Sequence, residues 1–112
     1  MKAYQHAEAL DALGDPTRRA ILEQLRGGPK PVVELARALP VTRPAVSQHL
    51  RVLKAAGLVT DRPQGSRRLY GVDPRGLEAL RVYLEGLWAE VLASYRRAAE
   101  GPPPEQTREE EA

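Results

Sequence analysis

Glycine and proline interrupt the first 74 residues so often that no long helix can form there. They stand at positions 14, 16, 27 to 29, 31, 40, 44, 57, 63, 65, 71 and 74, and the stretches between leave room for helices of about four turns at most. Short helices bury a core only by packing together, so the chain reads as a small cluster of helices with one long helix following it. Its 112 residues suit a single domain. Two helix starts share one signal, Asp15-Pro16 and Asp73-Pro74. In each, the aspartate accepts bonds from free backbone N–H groups, and proline, which lacks one, takes the first helical position.

The periodicity predicts a first helix over about Ala3 to Leu13, with Ala3, Ala7, Leu10 and Leu13 on one stripe. A second starts after Asp15, buries Ile21, Leu22 and Leu25, and ends at Gly27-Gly28. A short third helix, Val32 to Leu39, precedes a break, and Thr42 caps a fourth from about Arg43 to Ala56 that stops at Gly57. Leu58 to Arg62 and Arg67 to Val72 flank Pro63-Gln64-Gly65-Ser66 as two strands and a turn. The last helix runs from Asp73-Pro74 to about Arg97, roughly 36 Å. The fold class is mostly α with a small β-hairpin: four helices, two strands, a fifth helix.

Charge is distributed unevenly. The whole chain carries +2, but Glu100 to Ala112 hold five Glu and one Arg, leaving residues 1–99 with 16 basic against 10 acidic side chains, or +6. Residues 1–99 are read as the folded domain, and 100–112, with Gly101-Pro102-Pro103-Pro104, as an acidic disordered tail. With no Cys, disulfides, thiolate metal sites and cysteine nucleophiles are excluded. No apolar run approaches a membrane span and no secretory signal opens the chain, so a cytoplasmic protein is expected. Ser47, Ser66 and Ser94 have no evident His/Asp partners and no Gly-rich phosphate loop occurs, so the chain is not read as an enzyme.

On the fourth helix Val46, Leu50 and Leu53 form the inward side, and Arg43, Ser47, Gln48, Arg51 and Lys54 project from the other. A major groove admits one helix; Arg and Gln can bond base edges bidentately, and other cations bind phosphates. The short helix and turn before it make it the second element of a helix-turn-helix. The hairpin after it carries Arg62, Arg67 and Arg68 around Gly65, a wing that can grip the DNA backbone or enter a minor groove.

The stretches Leu13-Gly14-Asp15-Pro16-Thr17-Arg18-Arg19-Ala20-Ile21-Leu22 and Arg43-Pro44-Ala45-Val46-Ser47-Gln48-His49-Leu50-Arg51-Val52-Leu53-Lys54-Ala55-Ala56-Gly57-Leu58-Val59 resemble the signatures of the ArsR family of winged helix-turn-helix repressors. The resemblance covers roughly Ala3 to Tyr95. It implies a homodimeric repressor whose recognition helices enter adjacent major grooves of a pseudo-palindromic operator in double-stranded DNA. The family's DNA-contact region falls on Arg43, Ser47, Gln48, His49 and Arg51, with the wing at Arg67 and Arg68; Lys54 is added from the helical wheel. His49 lies at the edge of the inward side, where a packing role competes with a DNA role. Pro40 departs from the glycine that many such turns carry, and implies a longer or differently shaped turn.

Leu77, Leu80, Leu84, Leu87, Trp88, Val91, Leu92 and Tyr95 cover about 140° of the last helix, more than one protomer can bury. A two-fold dimer resolves this, with Leu10, Leu80, Leu84, Leu87, Trp88, Val91 and Tyr95 at its interface. Many members of the family sense metals through Cys near the third helix or His and acidic residues on the last. This chain has Val32-Val33-Glu34-Leu35-Ala36 at the first place and Glu78, Glu85 and Glu90 without His at the second. No metal and no cofactor are expected: His6 with Glu85 or Glu90 across a dimer is a conceivable donor set, but a plain surface histidine is the favoured reading of His6. The variant Leu39-Pro40-Val41-Thr42 leading into the fourth helix looks most like the metal-independent, SdpR-type branch. A small-molecule effector beside Trp88 and Tyr95 stays open, as does a winged-helix protein-interaction module that no longer reads DNA sequence.

Overall fold

The computed structural model describes residues 2–101, and their side chains from Ala7 onward. The elements are α1 (Lys2–Ala12), α2 (Pro16–Gln24), a 3-10 turn (Leu25–Gly27), α3 (Val32–Ala38), α4 (Arg43–Ala55), β1 (Val59–Gln64), β2 (Arg67–Val72) and α5 (Pro74–Glu100). The sequence predicts this order, and the boundaries differ by a few residues. Contacts divide the chain into two units, one through Leu80 and one from Arg81 on.

The first unit closes around Ile21, Leu35, Val46, Leu50, Leu53, Leu58 and Val59, all fully buried. Helix α4 is central to it, packing on α1, α2, α3 and β1. Asp15 caps α2 by accepting from the Arg18 backbone N–H at 3.0 Å, with Pro16 in the first turn. The stripe expected on α1 differs from its packing: Ala9 and Ala12 are buried, Leu13 packs partly against the core, and Ala7 and Leu10 are exposed. Alanines permit close helix approach, and the bulkier Leu10 is left on the outside. The side chain of Ala3 lies outside the described residues.

The turn between α3 and α4 spans Leu39 to Thr42. Val41 N–H donates to the Leu39 carbonyl at 2.8 Å, closing a three-residue turn about Pro40, whose fixed φ suits it. No positive φ is needed there; among the described residues only Gly28, Gly57 and Gly65 have one. The helix-turn-helix therefore tolerates proline by shortening the turn's hydrogen-bonded ring.

Strand β1 runs on through Pro63 to Gln64, so the connection to β2 is just Gly65-Ser66. Pro63 is accommodated because β1 is an edge strand. Gly65, at φ +63°, fills the first place of a two-residue turn where glycine is favoured. On its other side β2 gains a partner that the sequence reading lacked: Lys30 N–H donates to the Tyr70 carbonyl and Tyr70 N–H to the Lys30 carbonyl, both at 2.9 Å. Two strands alone are marginal in water, and this bridge ties the hairpin to the segment before α3.

Helix α5 begins where Asp73 accepts from the Arg75 backbone N–H at 3.0 Å, and its first two turns complete the core through Leu80. Gly76 lies against the end of α4: a Cβ there would overlap the carbonyl oxygen of Gly57. The helix reaches Glu100, one turn beyond expectation, so the acidic segment begins within it. From Pro102 on that segment lies outside the described residues.

Candidate nucleic-acid interface

Thr42 caps α4, accepting from the Ala45 backbone N–H at 3.2 Å, and Pro44 occupies its first turn. With Val46, Leu50 and Leu53 buried, the opposite face follows from helical geometry. Arg43, Gln48, Arg51 and Lys54 are exposed there and Ser47 is half-buried. No Asp or Glu stands anywhere on α4, so this face carries uncompensated positive charge along its own helix. Arg51 Nη1 donates to Gln48 Oε1 at 2.6 Å, so two of the expected base readers hold each other in the free protein.

Arg43 meets the wing. A cleft of about 250 Å³ opens between the start of α3 and the hairpin tip, lined by Val32, Arg43, Ser66, Arg67, Arg68 and Tyr70 among others. Arginine, serine and tyrosine side chains lining one concavity suit a phosphodiester, which asks for several donors at once, although Arg68 also reaches Asp61. The two basic elements that the sequence placed separately thus share one surface.

Other expected contacts are engaged within the protein. Asp61 on β1, its side chain only 6 % exposed, accepts from Lys54 Nζ at 2.7 Å on Oδ1 and from Arg68 Nε at 2.6 Å on Oδ2. These bonds, from Lys54 first and then Arg68, hold the Asp61 carboxyl below the usual carboxylate range against the opposing effect of burial. The His49 ring sits against the start of α2. Its Nδ1 is 3.5 Å from Arg18 Nη1 and 4.0 Å from Asp15 Oδ2, while Arg18 Nε donates to the Ala12 carbonyl at 2.7 Å. The Asp15 carboxyl is lowered by the Arg18 backbone bond, and further by the Arg18 and His49 charges. His49 thereby joins the recognition helix to the cap of α2.

Sequence reasoning missed Asp61, Lys30 and Tyr70. For Asp61 a signal existed: strand alternation from the buried Val59 places it on the inward face, and an inward carboxylate needs cationic partners. No comparable signal marks Lys30, which belongs to no regular strand.

Of the residues expected at a dimer interface, Leu80 is 7 % exposed and belongs to the core of the first unit. Leu10, Leu84, Leu87, Trp88, Val91 and Tyr95 are all exposed. Among the described residues no three His, Cys, Asp or Glu side chains cluster as metal ligands would; the His6 side chain lies outside them. A separate cavity of about 420 Å³ in the first unit is lined by Glu8, Ala9, Ala56, Gly57, Arg75 and Leu80 among others. No helix among the described residues is long and apolar enough to cross a membrane.

A basic recognition helix set by a tight turn, followed by a basic hairpin that shares its cleft, defines a winged helix-turn-helix DNA-binding protein. Comparison with known proteins agrees. A family described as a helix-turn-helix domain matches residues 13–62. The HTH-type transcriptional regulator Rv2034 of Mycobacterium tuberculosis is 57% identical over 96 residues, covering 85% of this chain and 90% of that protein. The repressor SmtB of the same species is 52% identical over 63 residues, 56% of this chain and 47% of SmtB, about half its length. The repressor SdpR of Bacillus subtilis is 34% identical over 67 residues, 60% of this chain and 74% of SdpR. Among solved structures, an ArsR-like transcriptional regulator from Rhodococcus superposes with a TM-score of 0.74 at 32% identity, covering 87% of this chain and 94% of that one. A homodimeric winged helix-turn-helix domain from Mycobacterium bovis, a possible ArsR-family regulator, gives 0.63 at 29%, covering 82% and 81%. The chain belongs to the ArsR family of winged helix-turn-helix transcriptional regulators. Proteins of this family bind DNA and are not enzymes.

Proposed function

We propose that this protein is a dimeric, sequence-specific repressor that binds an inverted-repeat operator through α4 and the wing, without a metal-sensing site. The observation that carries the reading is the shared cleft, where Arg43 of α4 meets Ser66, Arg67 and Arg68 of the wing. A merely solvated basic surface has no reason to converge there. In this reading Gln48, Ser47, Arg51 and Arg43 face base edges, and Arg67 grips phosphate.

Dimerisation is supported by the exposed Leu84, Leu87, Trp88, Val91 and Tyr95 of α5 with Leu10 of α1, and by the homodimeric state of the Mycobacterium bovis relative. Each large apolar side chain left in water forfeits about 1.5 to 3 kcal/mol, comparable in sum with the stability of a small domain. The two recognition helices of such a dimer would stand about 34 Å apart, one turn of DNA. Repression is the named role of the relatives SmtB and SdpR. Independence from metal is supported by the absence of Cys from the sequence and by the acidic residues of α5 having no histidine among them.

The test is selection of duplexes from a random pool at about 150 mM salt, where non-specific phosphate contacts are weakened, with and without a chelator. Enrichment of one inverted repeat, unchanged by chelation, is expected. No enrichment points instead to a winged-helix module that binds protein, and enrichment lost on chelation overturns metal independence.

A further inference from the structure

The eight residues expected to touch DNA are not equivalent in the free protein. Lys54, in the last turn of the recognition helix, and Arg68, on the second strand of the wing, both end on the one carboxylate of Asp61, at 2.7 and 2.6 Å. Their own side chains are about half exposed, at 55% and 51%, while Asp61 is 6% exposed. The acid is thus the fixed point and the cations are arms reaching in to it. Within the first unit this is the described ion pairing that links α4 to the wing, and each carboxylate oxygen serves one element.

We propose that Asp61 is a positioning residue for DNA reading: its carboxylate fixes the wing on the recognition helix and withholds two cations from indiscriminate phosphate binding. This rests on the reading above that the surface binds duplex DNA. The carboxylate acts on specificity from both sides. It sets the base of the wing against α4, beside the cleft that Arg43 shares with Ser66 and Arg67, and so fixes from where the tip meets a groove. It also lowers the attraction for any duplex, because a cation already neutralised by the Asp61 carboxylate releases no DNA counterion. Arg43, Arg51 and Arg67 remain as the cations that bind phosphate or base directly, with Lys54 and Arg68 acting through position.

The experiment measures affinity for the selected operator and for an unrelated duplex over a range of salt, for the full chain and for Asp61→Asn, Asp61→Glu and Lys54→Met. For Asp61→Asn the preference for operator over unrelated duplex is expected to fall about tenfold or more. Its binding to the unrelated duplex should tighten, with a log–log salt slope steeper by up to about 1.8 per protomer, for two released cations. Asp61→Glu, which keeps the charge, should restore most of the preference. A residue that merely supports the fold predicts something else: both affinities weakened in parallel with an unchanged slope, which overturns the proposal.

Should Asp61→Asn fail to fold, Lys54→Met decides, since that side chain is half exposed. A withheld cation predicts partial loss of preference with the unrelated-duplex slope unchanged. A slope shallower by about 0.9 per protomer makes Lys54 a direct phosphate contact and overturns the proposal. If the unaltered protein itself fails to distinguish operator from unrelated duplex, the DNA reading falls, and the proposal with it.

Discussion

Arg43 and Gln48 stand on the exposed face of α4 and are each expected to touch bases, whereas Arg67 lies at the wing. Arg43→Ala and Gln48→Ala should relax operator preference at about 1 to 3 kcal/mol per lost base contact, and Arg67→Ala should weaken all duplexes alike. Uniform losses in a panel of operator variants would contradict the division. Gln48→Ala also frees Arg51 from its 2.6 Å bond, so its effect includes a second side chain. Gly76 offers a sharper test of packing: Gly76→Ala places a methyl on the Gly57 carbonyl and should cost about 1 to 3 kcal/mol, read as a drop in the melting temperature. Acid should act through three carboxylates, Asp15, Asp61 and Asp73, all held below the usual range by the bonds described, for Asp73 chiefly by Arg75. A depressed folded pKa contributes fully above the unfolded value near 4 and is lost as pH falls through the lower folded value. Stability should therefore be level with respect to these groups above about pH 5 and fall below pH 4, less steeply in Asp61→Asn, as thermal melts at successive pH would record.

At the scale of elements, the sequence carried most of what the structure holds, for identifiable reasons. Asp15-Pro16, Thr42 and Asp73-Pro74 mark helix starts because capping is local chemistry, and all three cap as read. The inward face of α4 was legible because Val46, Leu50 and Leu53 repeat at helical spacing. Helix α1 was less legible, since small alanines at positions 9 and 12 give a weak hydrophobic signal while Leu10 gives a strong one for the outer face. The wing's length was underestimated because Pro63 reads as a strand breaker unless the strand is known to be an edge. The candidate site was legible as a face and not as a circuit. The helical wheel marks Lys54 as outward and the hairpin pattern puts Arg68 near the wing tip, but only tertiary placement brings both to Asp61, and only the fold brings His49 to Asp15 and Arg18.

For the whole molecule, the outer part of α5 bears Trp88 at 62% exposure and Tyr95 at 74%. A dimer that buries them should dissociate when a charge is placed among them. Trp88→Glu is expected to sediment as a monomer at micromolar concentration and to bind the full operator far more weakly, while retaining the helical circular dichroism of a folded chain. A variant that remains dimeric would move the interface elsewhere. The pairing of Lys30 with Tyr70 has a consequence of another kind. Because β2 is clamped at its middle by a segment outside the hairpin, the wing divides along its length into a rooted base and a free tip. Amide exchange with deuterium should follow that division, slow at Lys30 and Tyr70, whose release requires the segment before α3 to detach, and fast at Ser66 and Arg67. The tip can then conform to a groove without loosening its root.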